Sequence, residues 1–350
     1  MLSRRALNRA LLARQHLLAR VRRGAWSTIE HLVAMQAQEP PSPHIGLWTR
    51  LEGFVPAELD ALHTDRTVVR GWLMRNTLHA AAAEDFVAFR ALFAPVARRA
   101  FLGQFRRQMD GVDLDELAAR ARELAEAEPR GMATIGKALG ERWPDRDTRI
   151  LGYAAGYLVP MVQLPPRGLW GDSKRPRMTT AEAFLGLGPE PDPSPEPLAF
   201  RYLAAFGPAT PADFRAWSGL GGAAALFARI APRLRRFRDE QGRELFDVPG
   251  TPLPDADTPA PVRFLPVYDN AILAHDDRSR ILADGYPPRI ADDPVVLVDG
   301  FACARWEVVD GRVVVRPFAP IDARHDAEIA AEAERLGAFL GGVRPRGFRR

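Results

Sequence analysis

The sequence predicts an α+β protein in which mostly helical units recur along the chain and a smaller β-rich portion follows them. Amphipathic patterns, with apolar residues at helical spacing, alternate with shorter stretches that are typical of hairpins. Two proline-rich segments, 188–197 and 249–261, interrupt these patterns as linkers do. At 350 residues the chain is also longer than one hydrophobic core usually supports, which indicates several modules.

The N-terminal helices are predicted from the spacing of their apolar residues. The first segment, from residue 3 to residue 23, carries leucine and valine at helical intervals with arginine between them, and it is typical of an amphipathic helix rather than a signal peptide. The second helix, STIEHLVAMQ, has an apolar stripe that includes Ile29 and Leu32. The next position of that stripe is Gln36, so the spacing predicts a helix that reaches Gln36.

A hairpin follows a short third helix, SPHIGLWTRL. In RTVVRGWLMRNTLHAAA, apolar residues lie on both sides of Arg75–Asn76, which predicts two strands joined by a tight turn. Helices followed by a hairpin are the outline of a winged helix, a variant of the helix-turn-helix motif. The outline recurs in pattern at 113–171 and at 197–248, where a hairpin is predicted around Gln241–Gly242. The sequence therefore predicts tandem winged-helix (helix-turn-helix) units.

The C-terminal portion is predicted to be β-rich. The stretch VVLVDGFACARWEVVDGRVVVRPF contains two expected strands, with turn signals at the Asp-Gly steps 299–300 and 310–311. An amphipathic helix, DAEIAAEAERLGAFL, closes this portion. The predicted domains are a first winged-helix unit at 1–100, a second at 101–187, a linker with a third unit at 188–255, and the β-rich portion with its closing helix at 256–350.

Composition narrows the classes of function. The only cysteine, Cys303, excludes an intramolecular disulfide and a cysteine-based zinc cluster, and no metal or other cofactor is expected. Lys137 and Lys174 are the only lysines, so an enzyme that needs a lysine Schiff base has almost no candidates. No apolar run reaches about 18 residues, so the expected compartment is the cytoplasm. A net charge of +4 permits a polyanionic partner without requiring one.

The common motifs of hydrolases are missing from the sequence. It contains no glycine-rich phosphate loop, no zinc-protease helix and no serine elbow. Their absence argues against nucleotide hydrolysis and against the common hydrolase mechanisms.

The stretch MQAQEP places two amides, Gln36 and Gln38, directly before a pair of prolines. Glu39 precedes Pro40, and a residue before proline disfavours the α conformation. If the chain becomes extended near Ala37, the two-residue spacing brings both glutamines to one side, where they could hold a small polar object such as a water. In the alternative reading, Gln36 caps a backbone group and Gln38 is solvated.

One glycine- and proline-rich loop is a candidate for contacts with a phosphodiester backbone. The stretch PPRGLWGDSKRPR interleaves basic side chains with an aromatic one, a pattern that suits nucleic acid. A plain solvated surface loop explains the same pattern equally well. The candidate DNA-binding residues of this loop are Arg167, Trp170, Lys174, Arg175 and Arg177.

Three further arginines are weaker candidates for DNA contacts. Arg75 lies at the turn of the predicted hairpin. Arg278 and Arg280 alternate like residues of an exposed strand or loop and could meet phosphate, or form only a solvated face.

Two other polar features favour structural roles. His79 follows a strand and is expected to be a satisfied structural histidine. The segment before Arg278 clusters acidic and amide side chains but offers only one good nitrogen ligand, so a metal site is not favoured. Its members are Asp269, Asn270, His275, Asp276 and Asp277.

Seven segments of the chain together resemble one known family. The chain is similar, from about residue 3 to residue 341, to the winged-helix DNA-binding family that contains the AlkZ-type DNA glycosylases. Any single segment is a weak signal, whereas their joint order is specific. The segments are LVAMQAQEPPSPHIGLWTR, VRGWLMRNTLHAAAAEDF, VQLPPRGLWG, TTAEAFLG, FGPATPADFRAWSGL, LPVYDNAILAHDDRSRIL and LVDGFACARW.

The resemblance implies a function in DNA repair. Characterised members excise N7-alkylated purines, and some unhook interstrand crosslinks; their catalytic signature is glutamine, an aliphatic residue, then glutamine or aspartate. In this sequence the signature corresponds to Gln36-Ala37-Gln38, with Ala37 smaller than the usual middle residue. Many members are known only as DNA-binding proteins. The hypotheses are therefore a DNA glycosylase or, as the alternative, a non-catalytic winged-helix DNA-binding protein or transcriptional regulator.

The implied chemistry gives the amides a role. Alkylation at N7 makes guanine a cationic leaving group, so positioning of water by Gln36 and Gln38 replaces a strong base. With only two lysines as amine nucleophiles, we expect a monofunctional enzyme that leaves an abasic site. The expected partner is double-stranded DNA carrying alkylated bases. We expect a monomer in the cytoplasm, associated with the nucleoid, because no extended dimerisation helix is apparent in the sequence.

Overall fold

The fold is α+β. The computed structural model of the chain describes residues 1–188, 190, 192–286 and 290–343. The predicted linker at 188–197 includes residues 189 and 191, which lie outside the described residues, as do the last seven residues of the predicted portion at 256–350. No helix in the described part of the chain is long and apolar enough to cross a membrane.

The helices and strands follow one another in a mixed order. The α-helices are α1 (Arg4–Arg14), α2 (Ala25–His31), α3 (Ser42–Trp48), α4 (Pro56–Thr64), α5 (Ala83–Phe105), α6 (Leu114–Ala127), α7 (Met132–Gly140), α8 (Thr148–Leu158), α9 (Ala181–Leu185), α10 (Pro195–Phe206), α11 (Pro211–Ser218), α12 (Ala223–Ile230), α13 (Asn270–Leu273) and α14 (Asp326–Leu340). The strands are β1 (Met35–Gln36), β2 (Val68–Trp72), β3 (Leu78–Ala82), β4 (Met161–Gln163), β5 (Met178–Thr180), β6 (Arg235–Arg238), β7 (Glu244–Asp247), β8 (Arg263–Leu265), β9 (Val295–Val298), β10 (Phe301–Val309) and β11 (Arg312–Pro317).

Contacts divide the chain into two compact units. The first unit combines Met1–Pro56 with the chain from Pro195 onward, and the second unit is Ala57–Ser194. The hairpin β2–β3 therefore belongs to the same unit as helices α5 to α8, rather than to the unit that contains α1 to α3. The predicted division into four domains, and the winged-helix character of each, stay predictions.

An aromatic core holds the helices α10, α11 and α12 of the first unit together. Tyr202 lies at its centre, with ring centroids of Trp217 and Phe206 at 4.9 and 5.4 Å. A capping box between Thr210 and Asp213 fixes the start of α11. The hairpin β6–β7 follows α12 in antiparallel register, so the hairpin predicted around Gln241–Gly242 is confirmed.

The first unit also contains an antiparallel sheet with the order β11-β10-β9-β8. Both predicted Asp-Gly turns are confirmed, because Asp299–Gly300 and Asp310–Gly311 have the positive φ angles that such hairpin turns require. The expectation of two strands in this stretch is wrong: two reversals make three strands, β9, β10 and β11. All four residues of β9 are buried, and α14 packs against β11 and β8.

The second unit packs helices against a small antiparallel sheet that contains β3-β2-β4-β5 in that order. The hairpin predicted at 66–82 is confirmed, with Arg75 and Asn76 at positive φ in the turn. Helices α7 and α8 approach closely: a Cβ on Gly136 would lie 2.0 Å from the carbonyl oxygen of Thr148. Glycine at 136 therefore allows the two helices to pack backbone to backbone.

Candidate functional site

The segment that carries Gln36 is extended rather than helical. Helix α2 ends at His31, and Leu32 and Val33 close its last turn with backbone bonds to Thr28 and Glu30. Val33 has a φ of 69°, a left-handed conformation that stops the helix. The expectation that the helix reaches Gln36 is therefore wrong, whereas an extended chain near Ala37 is confirmed by strand β1.

The two glutamines differ in their exposure. Gln36 is 7% exposed and Ala37 is fully buried, whereas Gln38 is exposed. Glu39 is half-buried and its carbonyl accepts a hydrogen bond from the backbone of Ser42 at 3.0 Å, where α3 begins. One amide is thus fixed within the protein and the other faces outward, on a segment bounded by strand β1 and helix α3.

A small cavity lies beside Gln36. Its volume is about 10 Å³, which is close to the lower limit for a single water molecule and far too small for a base. The apolar part of the cavity wall is formed by Leu32, Met35 and Pro266. The other residues that line it are Gln36, Ser42, Arg50, Tyr268, Asp269 and Asn270.

A buried ion pair forms part of the wall of this cavity. The Arg50 guanidinium donates from Nη2 to Asp269 Oδ1 at 2.7 Å and from Nη1 to Oδ2 at 2.9 Å. The same Nη1 donates to the carbonyl of Gly46 in α3 at 2.9 Å. Two-point pairing of this kind fixes geometry as well as charge. The part of the cavity wall formed by Arg50 and Asp269 is therefore fixed in geometry and charge-compensated.

The basic loop predicted from PPRGLWGDSKRPR connects β4 to β5 in the second unit. Its ends are closed by a hydrogen bond from the Leu164 amide to the Arg177 carbonyl at 2.9 Å. The Trp170 amide donates to Asp60 Oδ1 at 2.9 Å, and Trp170 is half-buried. Arg167 is also half-buried, with Nη1 3.4 Å from the Lys174 carbonyl. These hydrogen bonds therefore fix the conformation of the β4–β5 loop.

Three cations of the loop face solvent. Lys174, Arg175 and Arg177 are exposed, and the Arg177 guanidinium also donates to the Pro129 carbonyl at 3.2 Å. The loop therefore brings the candidate DNA-binding residues together on one connection, as one group of basic side chains.

The remaining candidate arginines are arranged differently. Arg75 is half-buried at the turn between β2 and β3, and Arg278 is half-buried in a short 3₁₀ helix. Arg280 is 3% exposed and donates to the Pro208 carbonyl at 2.8 Å, with Asp213 3.9 Å away. Burial lowers the pKa of Arg280, and Asp213 partly offsets that effect. The expectation that Arg280 lies on an exposed strand or loop is wrong, because its charge is compensated inside the protein.

Comparison with known proteins identifies the family. A family model described as DNA glycosylase AlkZ-like matches residues 29–339, which is most of the chain. The chain belongs to the AlkZ-like DNA glycosylase family. It is therefore assigned to the DNA repair glycosylases, which are hydrolases that act on DNA. No curated protein matches the chain.

A solved structure supports the same fold. The DNA glycosylase AlkZ of Streptomyces sahachiroi is 20% identical in sequence, with 98% of each chain covered and a TM-score of 0.74. At this level of identity the likeness concerns the fold alone, and it extends across both units of this AlkZ-like chain.

Sequence reasoning missed the residues that support the candidate segment Gln36-Ala37-Gln38. The sequence suggests only a disfavoured metal site at Asp269 and Asn270, and it gives no signal for Arg50. No group of three or more metal-binding side chains occurs within the described ranges. Asp269 instead pairs with Arg50, and Asn270 donates to the backbone of Ala34. The available signal was a polar cluster inside an apolar context, YDNAIL, which indicates buried and satisfied groups.

His79 and His275 are buried structural histidines. The Nδ1 of His79 lies 2.8 Å from the Thr77 carbonyl, and burial lowers its pKa to about 3. The Nε2 of His275 lies 3.0 Å from the Phe206 carbonyl, and burial together with Arg280 holds its pKa well below the usual range. Both imidazoles are neutral at physiological pH. The expectation of a satisfied histidine at 79 is confirmed only for Nδ1, because the buried Nε2 has no hydrogen-bond partner among the described residues.

Proposed function

We propose that the protein is a monofunctional DNA glycosylase that hydrolyses the N-glycosidic bond of N7-alkylated purines in double-stranded DNA. The observation that carries the proposal is Gln36, a buried amide on the wall of a cavity about as large as one water molecule. A water fits this space, and the amide of Gln36 offers it both a donor and an acceptor. Gln36 and Gln38 together hold the water that attacks the sugar.

The reaction balances without a strong base. Water oxygen forms a bond to C1′ while the bond from C1′ to the purine N9 breaks, and its electron pair neutralises the positive charge of the alkylated ring. The spare proton of the water passes to solvent. A glutamine carbonyl accepts a hydrogen bond from the water and orients its lone pair towards the sugar, so catalysis comes from positioning and electrostatics.

The different exposure of the two amides supports a division of roles. Gln36 is buried at the end of strand β1 and lines the same cavity as the Arg50–Asp269 pair, so its amide is preorganised. Gln38 is exposed and is the amide that the DNA approaches. The cavity is too small for an extruded base, so the lesion stays outside it. This arrangement suits bulky adducts and interstrand crosslinks.

The positions of the two lysines favour hydrolysis of the glycosidic bond without strand cleavage. Lys137 on α7 and Lys174 on the β4–β5 loop are both exposed residues of the second unit, and neither lines the cavity beside Gln36. A glycosylase that also cleaves the strand needs an amine nucleophile near C1′. We therefore propose that the product is an intact strand with an abasic site.

The β4–β5 loop supplies the electrostatic contact with duplex DNA. Its exposed cations, Lys174, Arg175 and Arg177, are held on a loop that is closed by backbone bonds. Arg167, Trp170, Arg75 and Arg278 belong to the same proposal as partly exposed contacts. We propose that the enzyme acts as a monomer on chromosomal DNA in the cytoplasm, because one lesion offers no two-fold site for a dimer to read.

The proposal is tested with a duplex that carries a single N7-methylguanine. The duplex is incubated with enzyme, heated in alkali and resolved on a denaturing gel. We expect a break at the lesion only after alkali with the wild-type protein, and none with Gln36→Ala plus Gln38→Ala. The matched control is Gln104→Ala, an exposed glutamine of α5, which should leave the break unchanged.

Three outcomes contradict the proposal in different ways. A break before alkali contradicts monofunctional hydrolysis. An unchanged break with the double glutamine variant contradicts the catalytic assignment. Intact DNA in every lane, together with a footprint on a defined palindrome, would instead support the non-catalytic DNA-binding protein.

A further inference from the structure

Two neighbouring residues, Asp269 and Asn270, contact both flanks of the glutamine segment. Asn270 donates from Nδ2 to the carbonyl of Ala34, two residues before Gln36. Asp269 binds Arg50, whose Nη1 also donates to the carbonyl of Gly46 in the helix that follows Gln38. Asp269 and Asn270 are 5% and 4% exposed. One buried dipeptide therefore holds the chain on either side of Gln36-Ala37-Gln38.

Backbone strain lies next to both sides of this contact. Val33, which precedes Ala34, has a φ of 69°, and Tyr268, which precedes Asp269, has a φ of 58°. Bulky and β-branched residues rarely adopt the left-handed conformation, and they keep it only where the surrounding structure fixes it. The bond between Asn270 and Ala34 joins two segments that are each held in a rare conformation, so it is a determinant of where Gln36 lies.

The second polar atom of Asn270 is available to the cavity. Asn270 lines the cavity beside Gln36, and its Oδ1 is buried without a hydrogen-bond partner among the described residues. A buried acceptor of this kind requires a donor, and a water of the size that fits the cavity supplies one. Asn270 is thus suited to fix the backbone of the segment with one atom and to receive a water with the other.

We propose that Asn270 is a positioning residue for base excision: through Ala34 it fixes the segment that carries Gln36, and through Oδ1 it binds the water site beside it. The proposal rests on the proposed function, and it assigns to Asn270 no contact with DNA. At neutral pH the amide offers both a donor for the Ala34 carbonyl and an acceptor for water, whereas a carboxylate of the same shape offers only acceptors.

The decisive variant is Asn270→Asp, which preserves shape but removes the donor at neutral pH. Asp269, Arg50 and Tyr268 are the charged or titratable residues that line the same cavity. We expect the single-turnover excision rate to fall about 10²-fold at pH 7.5, because a small misplacement of a positioned group has an effect of that size. Affinity for the duplex should change by less than about twofold, since Asn270 is buried away from solvent.

The pH dependence separates positioning from general loss of structure. A protonated carboxylic acid can donate to the Ala34 carbonyl, so the rate of Asn270→Asp relative to wild type should rise as pH falls from 7.5 to 5. Asn270→Ala should show no such recovery, because no protonation restores its donor. Spontaneous loss of the alkylated base at each pH is measured without enzyme and subtracted.

A matched control exists in the same unit. Asn8 is also buried, and its Nδ2 donates to the carbonyls of Arg280 and Gly300 at 2.8 and 2.7 Å. It does not line the cavity beside Gln36. Asn8→Asp should lower the thermal midpoint but retain the excision rate per folded molecule, without acid recovery. Equal rate losses and equal pH profiles for the two Asp variants would overturn the positioning role.

A second measurement keeps this proposal separate from the proposed function. If the wild-type protein does not excise N7-methylguanine, the proposed function fails, and hydrogen exchange then tests the role of Asn270. The amides of residues 33–36 should exchange faster in Asn270→Asp than in Asn8→Asp. Unchanged exchange overturns the proposal independently of any activity.

Discussion

The glutamine segment and the β4–β5 loop use polar side chains in opposite ways. Around Gln36 the charges are buried and compensated, as in the Arg50–Asp269 pair, whose side chains are almost completely inaccessible. In the loop the cations Lys174 and Arg175 are exposed. Buried pairs fix atoms in one place, whereas exposed charges attract a polyanion and adapt to it. The difference separates a region suited to position a water from a region suited to hold DNA.

The same contrast between buried and exposed charges affects the stability of the protein elsewhere in the chain. In the first unit Arg14 and Asp247 form a fully buried pair with both guanidinium nitrogens engaged, at 2.7 and 2.9 Å. Removal of one partner leaves a charge in the interior without compensation. Substitution of an exposed cation in the β4–β5 loop leaves no uncompensated charge in the interior, because the side chain is solvated. Variants in the two regions should therefore differ first in stability and then in activity.

The largest effect is expected from Asp247→Asn. It should lower the free energy of unfolding by about 3–5 kcal/mol, because Arg14 remains charged and buried without its partner. Denaturant unfolding measures this loss. Glu52→Gln, which disrupts the exposed Arg22–Glu52 pair, is the control and should leave the midpoint nearly unchanged. Equal losses in the two variants would contradict the contrast.

The second effect concerns catalysis. Gln36→Ala and Gln38→Ala should each reduce the single-turnover excision rate about 10²–10³-fold, the usual consequence of removing one positioned hydrogen-bonding group. Under the proposal that both amides hold one water, the double variant should be little slower than the slower single variant. Rate losses that multiply would show that the two glutamines act independently. Gln104→Ala again serves as the control.

The third effect tests whether the stability of the second unit also depends on a buried titratable group. The pKa of His79 is about 3 when folded, so the unfolded chain binds its proton more readily. Stability is therefore fully present above about pH 6.5 and is lost as pH falls towards 3. At pH 5 this histidine alone should lower the free energy of unfolding by about 2 kcal/mol relative to pH 7.5.

His79→Asn isolates that contribution. Its amide keeps a donor for the Thr77 carbonyl but does not titrate. The difference in thermal midpoint between pH 7.5 and pH 5 should be smaller for this variant than for wild type. An equal difference would show that His79 is not the group responsible.

The smallest effect is expected in the loop. Arg175→Gln should weaken binding of undamaged duplex and reduce the slope of log K against log salt by about 0.9, the loss of one phosphate contact. The thermal midpoint should not move, because the side chain is exposed. Arg99→Gln, an exposed arginine of α5, is the control for general charge loss. A salt slope equal to that of wild type would remove Arg175 from the DNA-binding residues.

Local features of the fold were predictable because their causes are local. The turns at Asp299–Gly300 and Asp310–Gly311 were predicted from Asp-Gly steps, which tolerate positive φ. The hairpins at Arg75–Asn76 and Gln241–Gly242 were predicted from the stretches that flank them. Pro40 made an extended chain near Ala37 one of the conformations considered, and strand β1 now gives an extended chain up to Gln36. The end of α2 at His31 was not foreseen, because an apolar stripe continues through Leu32 and Val33 even though the helix does not.

The sequence by itself determined the signature Gln36-Ala37-Gln38, the turns and the α+β class, since each depends on neighbours along the chain. Only the tertiary structure decided which polar groups are buried. Arg50 and Asp269 are 219 residues apart, and Ala34 and Asn270 are 236 apart. Burial of a charge or an amide requires a partner that compensates it, and that partner is chosen by the fold rather than by sequence spacing. For the same reason Arg280 pairs internally while Arg175 stays exposed.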